Sequence, residues 1–143
     1  MLYSRSAEYA IRALVHLACL PDGKYAMTRN IAEEEKIPVH FLAKILQELT
    51  RKGILRSNKG PSGGFTLRTP PQQIRLLEVV EALDGKALAE AGNQIPWNLD
   101  TWSVLHSRIM ESLGQSTVAG VAQALVETRE AAKRPRKAKR VGK

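Results

Sequence analysis

Residues 38–68 read PVHFLAKILQELTRKGILRSNKGPSGGFTLR, and the fold turns on how this stretch divides. Leu42, Ile45, Leu46 and Leu49 recur at i, i+3, i+4 and i+7, the spacing of one buried helical stripe. Pro38 suits the first turn of that helix, where its missing N–H costs nothing, and Gly53 suits the left-handed residue just past its end. At about 100° per residue, the opposite face carries His40, Lys44, Gln47 and Arg51, a polar and cationic set rich in donors. Beyond Gly53, residues 54–59 and 65–68 are two short extended runs around Gly60-Pro61-Ser62-Gly63-Gly64, the pattern of a β-hairpin. Phe65 and Leu67, two apart, are expected to face the core, and Thr66 and Arg68 to face water.

Upstream, Ala10, Ala13, Leu14, Leu17 and Ala18 form another helical stripe, which should stop at Pro21-Asp22-Gly23. Thr28 is the expected N-cap of a short second helix with Ile31 and Ala32 inward, and Glu33, Glu34 and Glu35 read as a solvated acidic edge rather than a metal site. Downstream, Thr69-Pro70-Pro71 ends the hairpin, and Leu76, Val79, Val80 and Leu83 mark a fourth helix with Gly85 just past its end. Residues 86–99 contain Gly92, Asn93 and Pro96, lack a period and read as a connector. Asp100 is then the expected cap of a helix with inner stripe Trp102, Leu105, Ile109 and Leu113, broken by Gly114. Ser116 is expected to start a last helix carrying Val118, Val121, Ala122 and Leu125.

The chain has 143 residues, enough for a genuine core without staples. Its 43% hydrophobic and 25% charged content is that of an ordinary folded domain. A single cysteine, Cys19, excludes an intramolecular disulfide and any metal site built from several thiolates of one chain. No apolar run approaches a membrane span and the amino terminus lacks a signal peptide's features, so a cytoplasmic location is expected. The net charge of +8 is uneven: +3 over residues 1–90, −2 over 91–132 and +7 over 133–143. That last Lys/Arg/Pro-rich stretch is expected to be a disordered basic tail able to settle along phosphates.

Three helices followed by a two-stranded hairpin is the winged helix-turn-helix order, in which a helix enters the major groove and the wing lies along neighbouring backbone. Between Arg51 and Arg75 there are six basic residues and no acid, so positive charge coincides with the helix end and the wing. A phosphate-loop reading of the glycines fails, because no Gly-Lys-Ser/Thr follows them. Catalysis is not expected: His16, His40 and His106 fall on unrelated faces, with no nucleophile placed beside them.

Tyr9-Ala10-Ile11-Arg12-Ala13-Leu14, Leu46-x-x-Leu49-x-x-x-Gly53-Ile54-Leu55, Gly60-x-x-Gly63-Gly64-Phe65-x-Leu67 and Ile74-x-Leu76-x-x-Val79-Val80-Glu81-Ala82-Leu83-x-Gly85 together resemble the Rrf2 family of bacterial transcription regulators over about residues 1–130. The resemblance implies a homodimer on double-stranded, pseudo-palindromic DNA, with a long C-terminal helix crossing its partner. It places the recognition helix on residues 39–51, with His40, Lys44 and Gln47 as candidates for base contact. Lys44 can donate to guanine O6/N7 and Gln47 can pair with adenine N6/N7. His40, near the helix start, suits phosphate as well as base; Arg56 and Lys59, with Ser4 and Arg5, are the phosphate-side candidates, Arg51 completes the DNA-binding set, and Gly60, Gly63 and Gly64 serve the turn and close backbone approach.

Many members of that family hold an iron–sulfur cluster through three cysteines, yet the matching stretch, 86–102, contains none, so no cofactor or metal is expected. His106 reads as a packed or surface residue and Cys19 as a small buried hydrophobe. Trp97 and Trp102 suit packing or the lining of a small-molecule pocket. The expected organisation is thus mainly α with a small β-hairpin: a winged helix-turn-helix domain over 1–85, a connector over 86–99, dimerisation helices over 100–132 and a tail over 133–143. The expected dimer interface is Trp102, Leu105, Ile109 and Leu113, and the expected activity is operator binding as a repressor. The rival classes are a winged-helix protein-interaction module, which would expose apolar residues on the third helix, and a nucleoid-type DNA binder, which the tail would suit.

Overall fold

A computed structural model describes residues 4–60, 63–91 and 99–135. Helices α1 (Arg5–Ala18), α2 (Thr28–Glu35) and α3 (Val39–Arg51) precede the hairpin β1 (Leu55–Asn58) and β2 (Gly64–Leu67). A 3₁₀ turn at Pro71–Gln73 then leads to α4 (Leu76–Ala91), α5 (Leu99–Gln115) and α6 (Val118–Lys133). The two strands are antiparallel, pairing Leu55 with Leu67, Arg56 with Thr66, Ser57 with Phe65 and Asn58 with Gly64.

α1 is the hub, with α2, α3, α4, α6 and β2 all against it. Its stripe Ala10, Ala13, Leu14 and Leu17 meets Ile31 of α2, Leu42, Leu46 and Leu49 of α3, and Val118 and Ala122 of α6 in one apolar core. Burying Leu14, Ile31, Leu42, Leu46 and Leu49 completely removes about 1.5–3 kcal/mol worth of apolar surface from water per side chain. This burial fixes the rotation of α3. At the other end, Ser4 caps α1: its Oγ accepts the Ala7 N–H at 3.2 Å, its N–H donates to Asp84 of α4 at 2.7 Å, and its hydroxyl donates to the same carboxylate.

Two backbone bridges tie distant segments into this body. Ala26, between α1 and α2, exchanges two hydrogen bonds of 2.9 Å with Phe65, so the wing is anchored on the segment that precedes α2. Leu76 N–H donates to the Ser116 carbonyl, and Val118 N–H to that of Ile74, both at 2.9 Å, which clamps the α5–α6 junction to the start of α4. Val118 is accordingly fully buried, so the start of α6 shares the core of the winged body.

Several sequence-based boundaries shift. Thr28 is the first helical residue of α2 and Met27 occupies the cap position; Pro38 likewise stands at the cap of α3, with extended ψ of 127°, rather than inside its first turn. Gly85 does not end α4, which continues to Ala91 through Lys86, Ala87 and Leu88; one interior glycine costs only about 1 kcal/mol, which the strong helix formers around it offset. The expected connector is therefore helical up to Ala91, and residues 92–98 lie outside the described residues. Asp100 sits inside α5, which begins at Leu99; Gly114 is likewise internal, and the cap of α6 is Thr117, whose hydroxyl accepts the Gly120 N–H at 3.1 Å. Glu35 is half-buried, not solvated: it lies 3.1 Å from the Nδ1 of His16, and its carbonyl accepts a hydrogen bond from Arg12. Cys19 is exposed, because it falls on the side of α1 opposite the Leu14–Leu17 stripe. Of the basic tail, residues 136–143 lie outside the described residues.

Candidate nucleic-acid interface

The turn between α2 and α3 passes through Lys36, whose φ of 54° and ψ of 48° place a non-glycine residue in the left-handed region. Ile37 follows, buried, with its N–H on the Ala32 carbonyl at 3.0 Å. With Leu42, Ile45, Leu46 and Leu49 all turned into the core, His40, Lys44, Gln47 and Arg51 are necessarily on the outer face, and all four are exposed. The helix ends in a Schellman motif. Gly53, at φ 81°, donates to Thr50, and Ile54 donates to Leu49, both at 3.0 Å, which swings the chain directly into β1.

The wing is shaped by its glycines. A side chain on Gly63 would place its Cβ 2.4 Å from the Asn58 carbonyl oxygen, and on Gly64 2.2 Å from that of Ala26, so both positions exclude every other residue. Gly60 has φ 115° but open space around it, and it accepts the Gly63 N–H at 2.9 Å. The three glycines thus hold the hairpin in shape, while Arg56 and Lys59 are exposed on it. Among the described residues, Lys44, Arg56 and Lys59 form no ion pair. Arg51 does: it donates to Glu48 one turn earlier, which holds the Glu48 carboxyl below the ordinary carboxylate value and raises the guanidinium above its own.

Between the starts of α2 and α3 and the wing lies a cleft of about 500 Å³, reached by Met27, Arg29, Val39, Asn58 and Phe65. No local sequence pattern marks Arg29 as part of this cleft. As the second residue of α2 it faces away from Ile31, and only the bridge from Ala26 to Phe65 brings it to the wing. Val39 and Phe41, flanking the polar stripe of α3, are 45% and 60% exposed. Ser4 and Arg5 stand apart from this cluster, since the contacts of Ser4 are with Ala7 and Asp84.

At the other end of the chain, Leu105 is exposed beside Val104, Ile109 is half-buried and Leu113 packs on the main core; the Trp102 side chain lies outside the description. His106 is half-buried. The donor set does not fit an iron–sulfur cluster: the chain has one cysteine, exposed at the end of α1, and no group of three or more His, Cys, Asp or Glu among the described residues could hold a metal ion. No helix among the described residues is long and apolar enough to cross a membrane.

A helix presented outward by its own buried stripe, with a glycine-shaped wing beside it, defines a winged helix-turn-helix protein. Residues 3–124 match the model of the Rrf2 family, described as an iron-dependent transcriptional regulator. Rv1287 of Mycobacterium tuberculosis H37Rv, named for an HTH-type transcriptional regulator, is 32% identical over 131 residues, covering 85% of this chain and 81% of that protein. The similarly named slr0846 of Synechocystis is 33% identical over 131 residues, covering 83% and 86%. The fold matches the crystal structure of Staphylococcus aureus CymR with a TM-score of 0.72 at 23% identity over 85% of this chain and 96% of that one. It also matches T. potens IscR with a TM-score of 0.71 at 21% identity, over 92% and 90%. The chain belongs to the Rrf2 family, whose members are DNA-binding transcriptional regulators and not enzymes.

Proposed function

We propose that this protein is a sequence-specific regulator in the cytoplasm that binds a pseudo-palindromic operator as a homodimer and represses transcription by occupying it. The observation that carries the reading is the exposure of unpaired Lys44, Arg56 and Lys59 on α3 and the wing, on the side away from the core stripe. His40, Lys44 and Gln47 contact base edges, and Arg56 and Lys59 contact phosphates, with Arg51, held by Glu48, and Arg5 and Ser4 at the margin. Leu105 and Ile109 of α5 face the second chain, whereas Leu113 packs on the core of its own chain. A cluster held by three cysteines of one chain takes no part, since the chain has a single cysteine.

On a duplex selected from a random-sequence pool, Lys44→Ala and Gln47→Ala should each cost about 1–3 kcal/mol while leaving binding to an unrelated duplex nearly unchanged. Lys59→Ala should weaken both duplexes alike. Equal losses on both duplexes for Lys44→Ala and Gln47→Ala would contradict the assignment of α3. The exposed Val39 and Phe41 are what a protein-docking module would also present, but such a module would bind no duplex with a steep salt dependence.

A further inference from the structure

Large apolar side chains on a helix that otherwise shows cations to solvent call for a partner. Phe41 is 60% exposed, more than any other large hydrophobic residue among the described ones, and it lies in the first turn of α3. Helical geometry puts it about 60° round from Lys44 and about 100° from His40, at the edge of the polar stripe rather than behind it. The first turn of a groove-entering helix is the part that reaches base edges. In the major groove one base offers an apolar group at its edge, the thymine 5-methyl, and phenylalanine is among the side chains that meet it.

We propose that Phe41 is a specificity-determining residue that reads thymine by packing its ring on the 5-methyl group beside the base contacted by Lys44. The inference rests on α3 being the base-reading helix. It explains why an apolar ring is left in water on a face whose other members are His40, Lys44, Gln47 and Arg51. The ring has no core to rejoin, because Leu42 and Ile45 already fill the inward side.

The test uses the duplex enriched by the full-length protein from a random-sequence library, resynthesised with each thymine replaced singly by deoxyuridine, which removes the methyl and nothing else. At one thymine per half-site the wild type should lose about fourfold in affinity, the fold-change expected for one buried methyl. Phe41→Ala should bind the thymine and uracil forms alike, and Phe41→Leu should retain a preference. Unchanged binding to an unrelated duplex shows that the exposed position has been altered without harm to the fold. Wild-type indifference to every substitution, or a preference that survives Phe41→Ala, overturns the proposal while leaving DNA binding intact. Failure to enrich any duplex overturns the reading of α3, and this inference with it.

Discussion

Gly64 shows how much a single position can decide. The wing can lie against Ala26 only because no Cβ stands at Gly64, where one would come within 2.2 Å of a backbone oxygen that cannot swing aside. Gly64→Ala should therefore break the Ala26–Phe65 bridge and cost about 3 kcal/mol or more, with Gly63→Ala close behind. Gly60→Ala meets only the left-handed backbone and should cost about 1–2 kcal/mol. Urea unfolding midpoints order the three variants, and a Gly60 variant as damaging as Gly64→Ala would contradict this account. The need for a glycine-rich turn was legible in residues 60–64. That Gly64 admits a backbone 38 positions away was not, because no local pattern marks a long-range close approach. Cys19 is a different case: it neighbours apolar residues in sequence, but at about 100° per residue it falls opposite the Leu14–Leu17 stripe, so its exposure was legible in the spacing.

At the scale of elements, the stripes of α1 and α3 were legible because burial on one side writes a period into the sequence, and those stripes oriented the polar face of α3 correctly. The run of α4 through Gly85 and the pairing of residues 74–76 with 116–118 were not, since the first depends on summed propensities and the second on two carbonyls meeting at a distance. The charge on α3 is also tempered in a way that only side-chain placement reveals. Glu48 holds Arg51, so Glu48→Gln should free the guanidinium for phosphate, raise affinity for any duplex and steepen the slope of log K against log salt by about 0.9 per added contact and per chain. An unchanged slope would mean that Arg51 does not reach DNA. Because Arg51 lowers the Glu48 pKa, the pair's small stabilising contribution is present above the ordinary carboxylate range and is lost as pH falls through that lowered value.

For the whole molecule, the proposed reading of a pseudo-palindromic operator requires two winged bodies joined through α5. Leu113 is held by the chain's own core, so its substitution would test folding; Ile109 is half-buried and lies on the same helix as exposed Val104 and Leu105, where a second chain can cover them. Ile109→Asp should yield a folded monomer in sedimentation, and the wild type a dimer at micromolar concentration; a dimeric variant would remove Ile109 from the interface. A dimer with two outward α3 helices must read one helical turn of DNA, about 34 Å, or a multiple of it, between half-site centres. The most direct measurement is selection of bound duplexes from a random-sequence pool by the full-length protein. An enriched inverted repeat with that spacing is expected, and a single unrepeated site, or no enrichment at all, would contradict operator binding by a dimer.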